Sequence, residues 1–317
     1  MGPVIYLDNN ATSPVAPEVF EAMEPWLREG FGNPSSGYRL GRAAAAAIDT
    51  ARGQVAALAG CQSEELVFTS CGTESITTAI HSAIASQKRH IITSAVEHSA
   101  TLRICEDLAG RGFEITRLPV DSSGQLDLEE LKAAIRPETA LVSLLWANNE
   151  TGVLWPLEKI AGLVQKTNAI LHIDAVQAFG KIPLQLEGLG VHFMSFSGHK
   201  LHAPKGVGAL YINRRVPFTS LLHGTQENAR RGGTQNVASI VAFGKAAELI
   251  ASPFNPALRD SLETTLLAEI PGASVNGDRT HRLPNTTNLS FEGIESEAAL
   301  ILLDERGVCC SAGSSCA

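Results

Sequence analysis

Five short apolar runs in this chain each end in polar residues able to do chemistry, and that pattern limits the fold most. Val67-Phe68 leads into Thr69-Ser70-Cys71-Gly72-Thr73-Glu74-Ser75, Ile91-Ile92 into Glu97-His98, and Leu144-Leu145 into Asn148-Asn149-Glu150. His172-Ile173 is followed by Asp174 and Gln177, and Ser195-Phe196 by Ser197-Gly198-His199-Lys200. The predicted strands are 65–69, 90–93, 114–118, 141–145, 170–173, 192–196 and 206–212. Between them lie stretches with helical spacing, such as 76–85 and 157–164, and an alanine-rich helix over 42–59 that Gly60 would cap. Strand alternating with helix predicts an α/β fold, a mostly parallel central sheet flanked by helices. In such sheets the carboxyl ends of the strands form the ligand crevice. One polar strand end is ordinarily a turn, but five together mark a site.

The rest of the sequence narrows the function classes. With 44% hydrophobic residues in 317, the chain can bury a sizeable core. A net charge of -8 without a basic block argues against nucleic acid as a partner. No apolar run approaches the roughly 18–20 residues needed to span a bilayer, and the first residues lack the features of a signal peptide. A cytoplasmic location without membrane association is therefore expected, with the six cysteines reduced. No cysteine or histidine spacing indicates a metal site. Neither GxxxxGK[ST] nor GxGxxG occurs, which counts against an NTPase or a nicotinamide enzyme. After Leu249 the texture changes: 252–256 reads as a linker, 257–269 as a helix and 287–291 as a strand. We expect a large domain over 14–250 and a smaller α+β domain made of 1–13 and 251–317.

Several residues carry candidate chemistry. Lys200 follows an apolar strand, where a partly desolvated amine can form a Schiff base; alone it would read as a surface lysine. Ser197 and His199 beside it can bind a phosphate, and Gly72-Thr73 opens a helix whose free N–H groups favour anions. Asp174 ends an apolar strand, where an unpaired carboxylate is costly; a protonated pyridine nitrogen would suit it, as would a plain helix cap. Gln177 and Asn149 are neutral donors suited to a ring oxygen. His98 can move protons near neutral pH, although a lone histidine there is more often structural. Cys316 sits in the small-residue run 311–316, and read alone it is a thiol in a frayed terminus.

Taken in order, these segments resemble the class V aminotransferase superfamily, and within it the cysteine desulfurases of the NifS/IscS type. The resemblance rests on Tyr6-Leu-Asp-Asn-Asn-Ala-Thr12, Phe31-Gly-Asn-Pro-Ser-Ser36, Phe68-Thr-Ser-Cys-Gly-Thr-Glu-Ser75 and Val96-Glu-His98. It continues through Ala147-Asn-Asn-Glu-Thr-Gly152, Asp174-Ala-Val-Gln177, Ser197-Gly-His-Lys200, Arg231-Gly-Gly-Thr234 and Ala312-Gly-Ser-Ser-Cys316. It implies a fold-type I enzyme dependent on pyridoxal 5'-phosphate (PLP) and working as a homodimer. By the same resemblance Lys200 holds the cofactor, His98 lies over its ring and Asp174 pairs with the ring nitrogen. Gln177 and Asn149 flank the ring, while Gly72, Thr73, Ser197 and His199 bind phosphate together with Thr234 of the neighbouring subunit.

The implied reaction is removal of sulfur from L-cysteine. Lys200 and His98 move protons, Cys316 takes the sulfur as a persulfide, and L-alanine leaves. The persulfide would pass to an iron–sulfur scaffold or another acceptor protein, and Cys316 could briefly touch a cluster there. The family usually shows Gly-Gly-x-x-Glu-Arg-Gly before its Arg-x-Gly-Thr segment; here Gly224-Thr-Gln-Glu-Asn-Ala229 is shorter. Relatives continue for several dozen residues past the position of Cys316 and supply an arginine for the substrate carboxylate. No position here is assigned to it, and the small domain is expected to be truncated. Two alternatives stay open: a related PLP lyase or aminotransferase, such as a selenocysteine lyase, and a truncated PLP-binding scaffold without turnover.

Overall fold

In the computed structural model, residues 4–250 and 254–313 are described. The first two residues of the expected linker, 252 and 253, lie outside them. The frame is a seven-stranded sheet of β2 (Leu66–Thr69), β3 (His90–Ser94), β4 (Glu114–Leu118), β5 (Thr139–Leu145), β6 (Ile170–Asp174), β7 (Phe193–Ser197) and β8 (Gly208–Ile212). Their spatial order is β2-β8-β7-β6-β5-β3-β4. The pairs from β7 through β4 are parallel, while β8 runs antiparallel to both β7 and β2. The expected mostly parallel sheet is present, and its strands lie within two residues of the expected bounds. A strand buried on both faces reads as a continuous apolar run, which is how β5 (Thr-Ala-Leu-Val-Ser-Leu-Leu) announces itself, all seven residues buried.

Neighbouring side chains on each strand enter different cores. Ile92, Val142, Phe68 and Met194 join the large core formed with α1 (Pro17–Arg28), α2 (Arg39–Ala59), α6 (Leu157–Val164) and α8 (Val237–Leu249). Ile91 and Leu141 pack with α3 (Gly72–Ala83) and α4 (Ser99–Gly110), and Val67 and Phe193 meet Ala79 of α3. In α2, Ala44, Ile48, Ala51, Val55 and Ala59 recur at three- and four-residue steps and form its buried stripe. The helix ends as expected at Gly60, whose φ of 62° is left-handed and whose N–H returns to Ala56 and Ala57. Gly244 in α8 lets the two helices touch, since a Cβ there would stand 2.5 Å from Ala51 Cα. Helix α3 begins at Gly72, four residues before the apolar periodicity at Ile76, because its first turn is polar.

Short α5 (Leu128–Ala134) precedes β5, and α7 (Gln226–Ala229) is a single distorted turn. The C-terminal residues form α9 (Ala257–Glu269), the antiparallel pair β9 (Ala273–Val275) and β10 (Leu289–Phe291), and α10 (Ser296–Asp304). Strand β11 (Val308–Cys309) pairs in parallel with β1 (Ile5–Tyr6). Backbone bonds from Leu154 N to His281 O and from Leu283 N to Gly152 O, both 2.8 Å, tie this unit to the sheet body.

Candidate active site

Lys200 lies in a 3₁₀ turn directly after β7 and is buried. Its Nζ reaches across to the N-terminal loop, donating to Ala11 O at 2.8 Å and also to Asn10 O. Ser13 fastens that loop to the same turn: its N–H and Oγ donate to His199 O at 2.9 and 2.8 Å. Strand β7 therefore delivers Lys200 inward, and the loop before α1 closes over it.

Asp174, the last residue of β6, is buried beside Lys200 and accepts from Val176 N–H at 2.9 Å. Burial raises its carboxyl above the usual range, while the Val176 bond, His98 and Lys200 pull the other way. His98 caps α4, its Nδ1 accepting the Ala100 N–H at 3.1 Å, so a neutral ring carries its proton on Nε2. Burial lowers its pKa, Asp174 opposes this, and Lys200 lowers it further. The carboxyl ends of β3, β6 and β7 thus bring His98, Asp174 and Lys200 into one electrostatic unit. Beneath them Glu97 accepts from Ser94 Oγ at 2.7 Å and Leu145 N–H at 3.0 Å, and burial pushes its carboxyl up to about 8.

A group of residues at the start of α3 adjoins this unit. The first turn of α3 has no side-chain cap, and the Gly72 position stands 3.5 Å from Ser197 Cβ, measured from an ideal Cβ. Ser197 Oγ is buried and has no hydrogen-bond partner among the described residues. His199 is brought to about 4, chiefly by burial and then by Lys200, so it is neutral at physiological pH, and its Nδ1 meets Thr12 Oγ1 at 3.1 Å. Glu74, in the first turn of α3, accepts from the Ser70 N–H at 2.8 Å and pairs with Arg231 at 2.9 and 3.1 Å. An orphaned hydroxyl, open helix N–H groups and a neutral imidazole suit a phosphate, and the buried Asp174 suits a protonated ring nitrogen. The residues present fit pyridoxal phosphate.

The remaining expected residues are placed less uniformly. Gln177 is buried near Lys200, but its Nε2 donates to Asn10 O at 2.9 Å and its Oε1 accepts from Lys181 Nζ at 2.9 Å. Asn149 is half-buried in the turn after β5, its carbonyl accepting from Asn10 Nδ2 at 3.3 Å. Thr73 and Thr234 are exposed. Cys316 lies outside the described residues; Gly313, the last described, sits beside Glu150, an ideal Cβ there falling 3.4 Å from its carboxylate. Reasoning from sequence gave no role to Asn10, Glu97 or Lys181. The one signal for Lys181 was its position four residues after Gln177, in an otherwise apolar turn.

The shortened segment before Arg231 keeps a buried acid. Glu227 pairs with Arg52 at 2.7 and 2.8 Å and accepts the Phe68 N–H at 2.9 Å. Three successive residues there, Glu227, Asn228 and Ala229, hold φ of 49°, 56° and 61°, which L-residues adopt at a cost. A concavity of about 570 Å³ lined by Gln62, Glu65, Tyr211 and Arg214 lies at the opposite, amino-terminal end of the strands and contains none of the expected residues.

With that geometry in place, the chain belongs to the class-V aminotransferase family, which matches residues 5–317, and its cofactor is pyridoxal phosphate. It is 53% identical to a cysteine desulfurase from Nostoc sp., over 99% of this chain and 80% of that protein. Among solved structures it resembles a NifS-like protein with a TM-score of 0.92 and 40% identity, covering 96% of this chain and 87% of the other. It also resembles SspA in complex with cysteine, with a TM-score of 0.88, 33% identity and coverage of 98% and 90%.

Proposed function

We propose that this chain is a cysteine desulfurase, which releases L-alanine from L-cysteine and keeps the sulfur as a persulfide on Cys316. The observation that carries the reading is the meeting of Lys200, Asp174 and His98 with the orphaned Ser197 hydroxyl at the open end of α3. When bound, pyridoxal phosphate supplies a ring that withdraws electrons from the substrate's α-carbon. Asp174 would keep that ring protonated, while Ser197, His199, Gly72 and Thr73 would hold its phosphate, with Thr234 completing the cup from a partner subunit. Gln177 and Asn149 would serve the ring side, Gln177 while tied to Asn10 and Lys181. Lys200 Nζ would hold the cofactor and carry the α-proton of the substrate. His98, with its proton on Nε2, serves proton transfer above it. The Cys316 thiolate attacks the substrate sulfur; an S–S bond forms, the C–S bond breaks, and the carbon skeleton takes the electrons and a proton to become alanine.

Relatives named for this activity and a related protein bound to cysteine support the substrate. A homodimer fits the large apolar side chains left exposed near the N-terminus, among them Phe20, Leu27, Tyr38 and Phe31, the last 75% exposed; sedimentation would test it. The sulfur acceptor we infer is an iron–sulfur scaffold protein, and the setting cytoplasmic. The deciding experiment supplies L-cysteine and measures alanine and sulfide. The native chain should form both, and Cys316→Ala should lose both. Equal alanine from Cys316→Ala would reject the persulfide route and favour a lyase that needs no thiol.

A further inference from the structure

Glu97 precedes His98 in the turn between β3 and α4, and the reaction just described leaves it without a task. It is buried, and one of its oxygens makes two bonds: Oε1 accepts from Ser94 Oγ at 2.7 Å and from the Leu145 N–H at 3.0 Å. Ser94 ends β3 and Leu145 ends β5. Leu145 stands opposite Asp174 in the parallel register, and the following N–H, that of Trp146, donates to Asp174 O at 2.9 Å. A single side-chain oxygen therefore ties the His98 turn to the strand end beside Asp174. The other bonds of the turn reach elsewhere. Ala95 N–H donates to Leu118 O at 2.9 Å, and Val96 O accepts from Asn148 Nδ2 at 3.3 Å.

We propose that Glu97 is a positioning residue for His98: the two bonds to its Oε1 fix the turn that aims the imidazole. The aim depends on the turn because His98 Nδ1 is already committed to the Ala100 N–H at 3.1 Å, which leaves Nε2 as the working atom. Hydrogen bonds carry this role, and charge does not. Burial raises the Glu97 carboxyl to about 8 against the pull of the Ser94 and Leu145 bonds, so it keeps its proton at neutral pH. Its second oxygen is buried without a partner among the described residues. Burying a polar atom unpaired is costly, and a turn with no task beyond reversing the chain has no need of it.

The inference rests on His98 moving protons in that reaction, and a double-mutant cycle separates the two. Alanine formation from L-cysteine is measured in Glu97→Ala, His98→Gln and the double variant. Glu97→Ala should lower kcat roughly tenfold and leave KM nearly as it was. Once His98 is gone, the same change should cost less than about twofold. An equal loss in both backgrounds would overturn the proposal, whereas a His98→Gln variant as fast as the native chain would sink the reading of His98 instead. Hydrogen exchange in the cofactor-free chain decides without turnover. Glu97→Ala should speed exchange of the Ala100 amide about tenfold while the β7 amides keep their native rates. Unchanged exchange at Ala100 would refute the proposal. Glu97→Gln, whose amide keeps the acceptor oxygen, should recover most of both losses, and failure of that rescue would reject bonding as the cause. Should Glu97→Ala not fold, Ser94→Ala removes one of the two bonds and should move both readouts the same way, about threefold; no movement would reject the proposal.

Discussion

The sheet body and the C-terminal unit handle charge and apolar surface in opposite ways. In the body, β5, β7 and β8 are buried along their length and β6 in all but its first residue, and Glu227 with Arg52 is tucked under the edge strand β2. In the C-terminal unit, Glu263 is the one buried residue of α9, 3% exposed and paired with Arg282 at 2.6 and 2.9 Å. Leu258 on that helix is 87% exposed, and α10 buries none of its residues. The body is held by apolar packing that a few polar bonds align. The C-terminal unit is held chiefly by a charged clasp, with apolar faces turned outward.

That contrast can be broken by substitution. Removing the clasp with Glu263→Ala leaves Arg282 buried and unpaired, and should cost about 3–5 kcal/mol. Hydrogen exchange should then rise in 257–309 and stay unchanged in β5–β7; loosening of both regions would show that they are not separable. Leu144→Ala, inside the body, should cost about 2–5 kcal/mol in chemical denaturation through lost contact and an unfilled cavity. A cost below 1 kcal/mol would mean the sheet core is looser than its burial implies.

The two regions should also answer pH with opposite signs. Glu263 is held near 2, chiefly by its Arg282 bond, below its unfolded value of about 4.3. Its contribution is present above the unfolded value and is lost as pH falls toward 2. Glu97, raised by burial to about 8, contributes fully below about 4.3 and loses that contribution as pH rises toward 8. Glu97→Gln should flatten a denaturation series between about pH 4.3 and about pH 8 and leave the limb below about 4.3 alone. Ala229→Gly should stabilise by about 1 kcal/mol, since glycine adopts the left-handed region freely. Leu258→Gln should change stability by less than about 0.5 kcal/mol, and a larger loss would reveal something packed on that face.

Much of the sheet was legible because apolar β-branched runs such as Leu141–Leu145 have a strong local signature. The site was legible in part because its residues follow those runs at fixed offsets, as Asp174 follows Ile173 and Lys200 follows Phe196. Strand direction was not legible: the periodicity of β8 is the same whichever way it runs. The left-handed turn at 227–229 gave no signal either, since none of its residues is glycine. Glu97 and Asn10 are tied to partners far off in the sequence, Leu145 for Glu97 and Lys200 for Asn10, and one backbone carbonyl looks like another in a sequence.

The antiparallel strand has a consequence for the order of assembly. Within the sheet β2 pairs with β8 alone, Phe68 opposite Ala209, so one side of the proposed phosphate cup is fastened by a contact some 140 residues distant. Contacts so far apart along the chain form slowly. During synthesis, β2 has no strand to pair with until β8 has left the ribosome, long after α3 itself. Cofactor capture should therefore be a late event in the life of the nascent chain, a report that the sheet has closed.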